Sequence, residues 1–189
     1  MIERPRARQA GMVLITTLLL LIVVTILAVG MFRSYGLDEK IAGNLREKHR
    51  AVNAAETAEQ YAEWWLGGGN GTTGVTCTAP VPLAAMTVCS NPLTNPAQLP
   101  WASYTPYQPS VPSMPMVLSD TGGQNTYSSY PAFYITYLGP WPVGNVQGSV
   151  YQIDAVGYAG SPDTAAVVES TYLVKTQSSC VTCAPGSGG

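Results

Sequence analysis

The four cysteines are the residues best suited to chemistry, and their spacing is typical of disulfides. They are Cys77, Cys89, Cys180 and Cys183. The last two form a C-x-x-C motif, a metal or redox spacing, but Cys77 and Cys89 are too far apart to supply the second motif of a structural zinc site. An even count in an exported domain predicts two disulfides. Three pairings exist, and the simplest joins Cys77 to Cys89 and Cys180 to Cys183.

Other candidate sites are weak. His49 is the single histidine and lies in a charged helical stretch, so no Ser-His-Asp triad can form without it. The polar turn around Asp120 and Gln124 has too few acidic residues for a calcium loop. Gly67–Gly74 lacks the lysine and the strand–helix context of a phosphate-binding loop. The sequence therefore predicts no enzyme, no cofactor and no metal.

Tyrosine is abundant, with eleven residues. We favour core and strand packing for them. The alternative is that six of them form an exposed aromatic surface that binds protein or glycan. The six tyrosines concerned are Tyr127, Tyr130, Tyr134, Tyr137, Tyr151 and Tyr158.

Charge is scarce and unevenly distributed. Charged residues make up 11% of the 189 residues, and the net charge is only -2, which argues against nucleic-acid binding. Arginines precede an apolar run at residues 12–32, and the part from Gly67 onward has Lys175 as its one basic residue. That part is rich in Gly, Pro, Ser, Thr and Tyr, a composition that suits an exported, β-rich or loop-rich domain.

The apolar run predicts a membrane-spanning helix. Residues 12–32 contain no charged side chain. As a helix at about 1.5 Å per residue they would span roughly 31 Å, close to the ~30 Å of a hydrocarbon core. The arginines before the run place the N-terminus in the cytoplasm. The run is too long for an ordinary signal peptide, and its small-residue pair Ala10-Gly11 lies before it.

The remaining pattern predicts an α+β fold. Apolar residues at helical spacing continue the helix as an amphipathic segment over residues 33–66, which ends at Gly67–Gly69. This face includes Ile41, Leu45 and an alanine-rich patch. Residues 67–118 are proline-rich and predict a wrapping loop. Residues 132–138, 149–158 and 165–176 predict an antiparallel meander, against which the long helix packs.

Two motifs carry a family resemblance. They are RQAGMVLI at residues 8–15 and EKIAGNLR at residues 39–46, the latter followed by Ala51 and Ala54-Ala55-Glu56. Both resemble the minor pilins of the PilX type in type IV pili. The resemblance implies that residues 1–11 are a leader removed by prepilin peptidase between Gly11 and Met12, and that Met12 is then N-methylated. Residues 12–32 would form the membrane and fibre-core helix, and residues 67–189 the extracytoplasmic domain.

The resemblance also implies a function and partners. The chain would be a non-enzymatic subunit in pilus assembly or priming, first in the inner membrane of a Gram-negative bacterium and then in a surface fibre. Its partners would be other pilins and minor pilins, the peptidase, the inner-membrane assembly platform and a tip adhesin. Two alternatives are a pseudopilin of a type II secretion system and a single-pass anchored binding module that never polymerises.

The chain departs from the usual pilin pattern at the fifth mature position. Most pilins carry glutamate there, thought to pair with the terminal amine of a neighbour, whereas this chain has Thr16. A neutral hydroxyl cannot neutralise a buried ammonium group. Either the subunit sits where no such pairing is needed, or the PilX-type family tolerates the absence. We favour a position at or near the tip.

Overall fold

The computed structural model describes residues 10–109, 116–119, 126–141 and 147–175. The described residues form one α-helix and one antiparallel sheet with strand order β1-β2-β3-β4. The elements are α1 (Ala10–Trp65), β1 (Thr105–Pro106), β2 (Ala132–Pro140), β3 (Gly148–Tyr158) and β4 (Ala165–Lys175). A long helix packed on an antiparallel meander confirms the predicted α+β class.

The chain divides into two compact units, residues 1–45 and residues 46–189. In the first unit, the described large apolar side chains of α1 are exposed to solvent. These include Ile41, at 57% exposed, and Leu45, at 52%. The prediction that Ile41 and Leu45 belong to the buried face of the helix is therefore wrong. Their spacing matches the helical period, but spacing alone does not determine whether a face is buried.

The helix ends in a wider turn. Leu66–Asn70 has π-helical geometry, and Gly69 within it has a φ of 87°. This left-handed conformation is readily adopted by glycine and strained for other residues. The Asn70 side-chain amide donates a hydrogen bond to the Trp65 carbonyl at 2.9 Å, which satisfies one acceptor left open at the helix end.

In the second unit, small residues let α1 approach the sheet closely. Ala51, Ala55, Ala58 and Ala62 are completely buried. They pack on the face of β3 that carries Tyr151, Ile153 and Ala155, which are 2% exposed or less. At Gly157, on the same face, an added Cβ would overlap the carbonyl oxygen of Ala51 and the amide nitrogen of Ala55. The alternation predicted for β3 thus places the expected set of residues against the helix.

The proline-rich segment covers the opposite face of the sheet. A second core cluster joins Cys77, Cys89 and Trp101 to Tyr134 and Val156. The segment also pairs with β2 along its edge. The Cys89 amide donates to the Ile135 carbonyl at 2.8 Å, and the Tyr137 amide donates to the Cys89 carbonyl at 2.9 Å.

The three predicted strands correspond to β2, β3 and β4, with ends that differ by at most two residues. Thr176, the predicted end of the last strand, lies outside the described residues. The short β1 was not predicted, because its two residues have no strand pattern of their own. It exists through its pairing with β2, in which Thr105 lies opposite Phe133.

The contact at Gly157 gives a testable prediction. Gly157→Ala should destabilise the domain by about 2 kcal/mol, because helix and sheet must separate to admit the methyl group. Thermal unfolding of the full chain in detergent measures the loss. Gly43→Ala is the matched control, since nothing lies within 4 Å of a Cβ there. Equal unfolding temperatures for both variants would contradict the close approach of α1 to β3.

Candidate functional site

The outstanding surface of the first unit is the apolar segment at residues 12–32 of α1. Its large apolar side chains are between 43% and 77% exposed, on all sides of the helix. Among the described residues, one helix is long and apolar enough to cross a membrane, with a mean hydropathy of 3.0 in its most apolar stretch. So much contiguous apolar surface requires a cover, which lipid or the helices of other subunits can supply.

Three threonines interrupt this apolar surface without making it polar. The Thr16 hydroxyl donates to the carbonyl oxygens of Met12, at 3.1 Å, and Val13, at 3.0 Å. Thr17 and Thr25 bond in the same way to the carbonyls of Leu14 and Ile22. Each hydroxyl is satisfied by its own helix, so the segment can enter a hydrocarbon phase at little cost. The three threonines line a shallow groove on the helix surface together with Leu20, Leu21 and Val24.

The predicted processing site lies at the start of this segment. Gly11 and Met12 fall in the first turn of α1, and the Met12 side chain is 72% exposed. Residues 1–9 of the predicted leader lie outside the described residues. The bond between Gly11 and Met12 therefore joins two helical residues at the very beginning of the apolar helix.

The structure contains the disulfide between Cys77 and Cys89, with a Cα–Cα distance of 5.5 Å. This is one of the two pairs in the simplest predicted pairing. Cys180 and Cys183 lie outside the described residues. The disulfide closes the proline-rich loop next to the point where Cys89 hydrogen-bonds β2. It therefore fixes the segment that covers this face of the sheet.

A polar clasp holds the first helical turns of the second unit to two loops. It consists of Glu47 and Arg50 with their loop partners. Glu47 Oε1 accepts from Arg50 Nη1 at 2.8 Å, and Glu47 Oε2 accepts from the Gly160 amide at 2.9 Å. Arg50 donates to the Thr126 carbonyl and lies 4.5 Å above the Tyr127 ring. The hydrogen bond from Gly160 is the main cause that lowers the pKa of Glu47. Sequence reasoning missed this clasp, because its hydrogen-bond partners lie 76 and 113 residues apart in the chain.

Most of the six tyrosines pack inside the domain, as the favoured interpretation expected. Tyr134 and Tyr151 are 3% and 2% exposed, and the Tyr137 and Tyr151 rings lie 5.6 Å apart. Tyr127 lies under Arg50 in the clasp. Tyr130 and Tyr158 are half-buried and line a small cavity of about 60 Å³ beside Trp101 and Tyr104. The six therefore do not form one exposed aromatic surface.

The remaining sequence candidates do not come together. His49 is exposed on α1. Asp120 and residues 121–125 of the polar turn lie outside the described residues. Within the described part of the chain, no group of three or more His, Cys, Asp or Glu side chains lies in a metal-binding arrangement.

Sequence reasoning also missed the most perturbed acidic group of the domain, Asp154 on β3. Its side chain is completely buried on the face opposite α1. Its pKa is raised from 3.8 to about 6, chiefly by burial, while a hydrogen bond from Gln152 opposes the shift and nearby Glu169 adds to it. The Gln152 amide lies 3.2 and 3.3 Å from the two carboxylate oxygens. The strand alternation places Asp154 on this face of β3, but it does not show that the face is covered.

A pH dependence follows from Asp154. Because the folded state holds its proton more tightly than the unfolded state, the folded domain has its full stability below about pH 4 and loses it as the pH rises through about 6. Asp154→Asn should therefore stabilise the domain by about 2 kcal/mol near pH 7.5, and by little near pH 4. Thermal unfolding at both pH values measures this difference. Asp163→Asn, in the exposed turn between β3 and β4, is the control, and a pH-independent effect of Asp154→Asn would contradict the assignment.

Comparison with known proteins assigns the N-terminal part of the chain. Residues 10–58 match the family model described as PilX N-terminal. No curated protein and no solved structure matches the chain. The matched residues cover the whole apolar segment, the two helical residues of the clasp, Glu47 and Arg50, and the first buried alanines of α1. Type IV pilins of this family are structural proteins that interact with other pilins in a pilus, and a membrane-anchored component fits the apolar helix. Over these residues the chain is similar to the PilX N-terminal domain, and this match supports a type IV pilin of the PilX type.

Proposed function

We propose that this chain is a non-enzymatic minor pilin that is processed by prepilin peptidase and takes part in type IV pilus assembly or priming. The observation that carries the proposal is the apolar segment at residues 12–32, exposed on all sides within a match to the PilX N-terminal domain. A helix that is apolar all round can be buried first by lipid and then by the helices of other subunits. An amphipathic surface helix could not serve in both surroundings.

Processing is the first step of this proposal. The peptidase cuts between Gly11 and Met12 on the cytoplasmic side, and the new amine of Met12 is methylated. Residues 33–66 continue the helix, and residues 67–189 form the extracytoplasmic domain. The arginines of residues 1–9 keep the leader in the cytoplasm and orient the span with the domain outside the inner membrane. Subunits then leave the membrane and enter the fibre on the cell surface.

The position in the fibre follows from Thr16. Its hydroxyl is a neutral group already bonded to the carbonyls of Met12 and Val13. It therefore offers no charge to the buried terminal amine of a neighbouring subunit, for which an unpaired ammonium group is costly. A subunit at or near the tip has fewer neighbouring subunits, so fewer terminal amines need a charged partner from it. This favours the tip, where a partner adhesin would also be presented.

Leader removal tests the proposal directly. Gly11→Ala should block cleavage, because the peptidase cuts after the glycine, so the protein keeps residues 1–11 and its unmethylated Met12. Intact-mass spectrometry of protein isolated from cells with the peptidase measures this. Gly30→Ala is the control, since a Cβ there meets nothing within 4 Å. Normal maturation of Gly11→Ala, or retention of Met1 in the wild-type chain, would contradict the proposal.

A further inference from the structure

The two edges of the sheet differ in how they are protected. On the β2 side lie the short β1, which contains Pro106, and the proline-rich segment, whose Cys89 hydrogen-bonds β2. Short strands and prolines at an edge prevent pairing with another chain. At the other edge, β4 pairs only with β3 among the described residues.

The regular form of β4 suits it to accept a further strand. Its 11 residues pair with β3 from Ala165 to Lys175 without a register shift, whereas the register of β2 shifts between Tyr137 and Gly139. The strand contains no proline and no glycine and is rich in β-branched residues. A strand of this kind presents a row of backbone N–H and C=O groups along its outer side, and another strand satisfies them.

The side chains of β4 are only partly covered. No residue of β4 is buried, whereas Ile153 and Ala155 of the adjacent β3 are completely buried. Val168 and Val174 pack against the core on the α1 face, and Val167 packs against the core on the opposite face. A further strand beside β4 would remove more of this apolar surface from water on both faces.

The charges of β4 indicate which strand fits beside it. Glu169 and Lys175 are its two charged residues, and both are exposed. They lie an even number of positions apart, so their side chains point to the same face of the sheet. If two β4 strands pair antiparallel about Tyr172, Glu169 of each copy lies opposite Lys175 of the other, and opposite charges at facing positions stabilise a strand pair. A parallel pairing in register would instead bring like charges together.

We propose that β4 is a self-association surface, on which a second copy of this chain pairs its own β4 antiparallel over residues 169–175. The arrangement is twofold symmetric, so both Glu169–Lys175 pairs form together and the contact closes as a dimer. The two sheets become one continuous sheet, in which each β4 has a neighbour on both sides. The proposal rests on the sheet and does not depend on the proposed function.

Charge reversal tests the proposal. Energy transfer between donor-labelled and acceptor-labelled full-length chains in detergent, followed over a dilution series at neutral pH, measures the affinity of self-pairing. By symmetry, Glu169→Lys or Lys175→Glu turns two attractive pairs into two repulsive ones, so each variant should pair with itself about tenfold more weakly than the wild type. Asp163→Lys, in the exposed turn before β4, is the control and should pair with wild-type affinity.

Mixing the two reversed variants separates β4 pairing from association through α1. In a mixed pair of Glu169→Lys with Lys175→Glu, the introduced charges face each other and the native charges face each other. The mixture should therefore regain wild-type affinity, which also shows that both variants are folded. A wild-type chain that does not self-pair, pairing that neither reversal weakens, or a mixture no tighter than the single variants would each overturn the proposal.

Discussion

The rest of this structure depends on how the surface of α1 is buried. Along α1, the side chains change from large and apolar on every side, at residues 12–32, to a narrow face of alanines that packs on β3. The first kind of surface needs a continuous apolar environment, and the second needs a sheet that comes very close. Gly157 shows how tight this fit is, since its missing Cβ makes room for the backbone of Ala51 and Ala55.

The sheet must then be covered on its other face. A proline-rich segment does this, held by the Cys77–Cys89 disulfide and by the hydrogen bonds of Cys89 to β2. On the same face of β3, Asp154 is completely buried and lies opposite Glu169 of β4. A carboxylate in that position destabilises the domain at neutral pH, because burial favours its protonated form.

Local patterns in the sequence predicted much of this architecture. The span, the strands β2 to β4 and the alternation along β3 follow from periodicity and from turn residues, which are local signals. Sequence patterns missed the contacts between distant residues, which are those of Glu47 with Gly160 and of Cys89 with β2. They also missed the burial of Asp154. The exposure of Ile41 and Leu45 was also missed, because periodicity shows which helix face is apolar but not whether that face is buried. The predicted processing at Gly11 and Met12 depends on the family resemblance and stays a prediction.

The central claim is that this subunit leaves the membrane and becomes part of a fibre. Gold labelling of intact cells and of sheared pili, with an antibody to the domain at residues 67–189, tests it most directly. The account predicts gold on the fibres, concentrated at or near one end. Gold spread evenly along the shaft would contradict the tip position that we infer from Thr16. Gold confined to the cell envelope, with unlabelled fibres, would contradict the central claim itself.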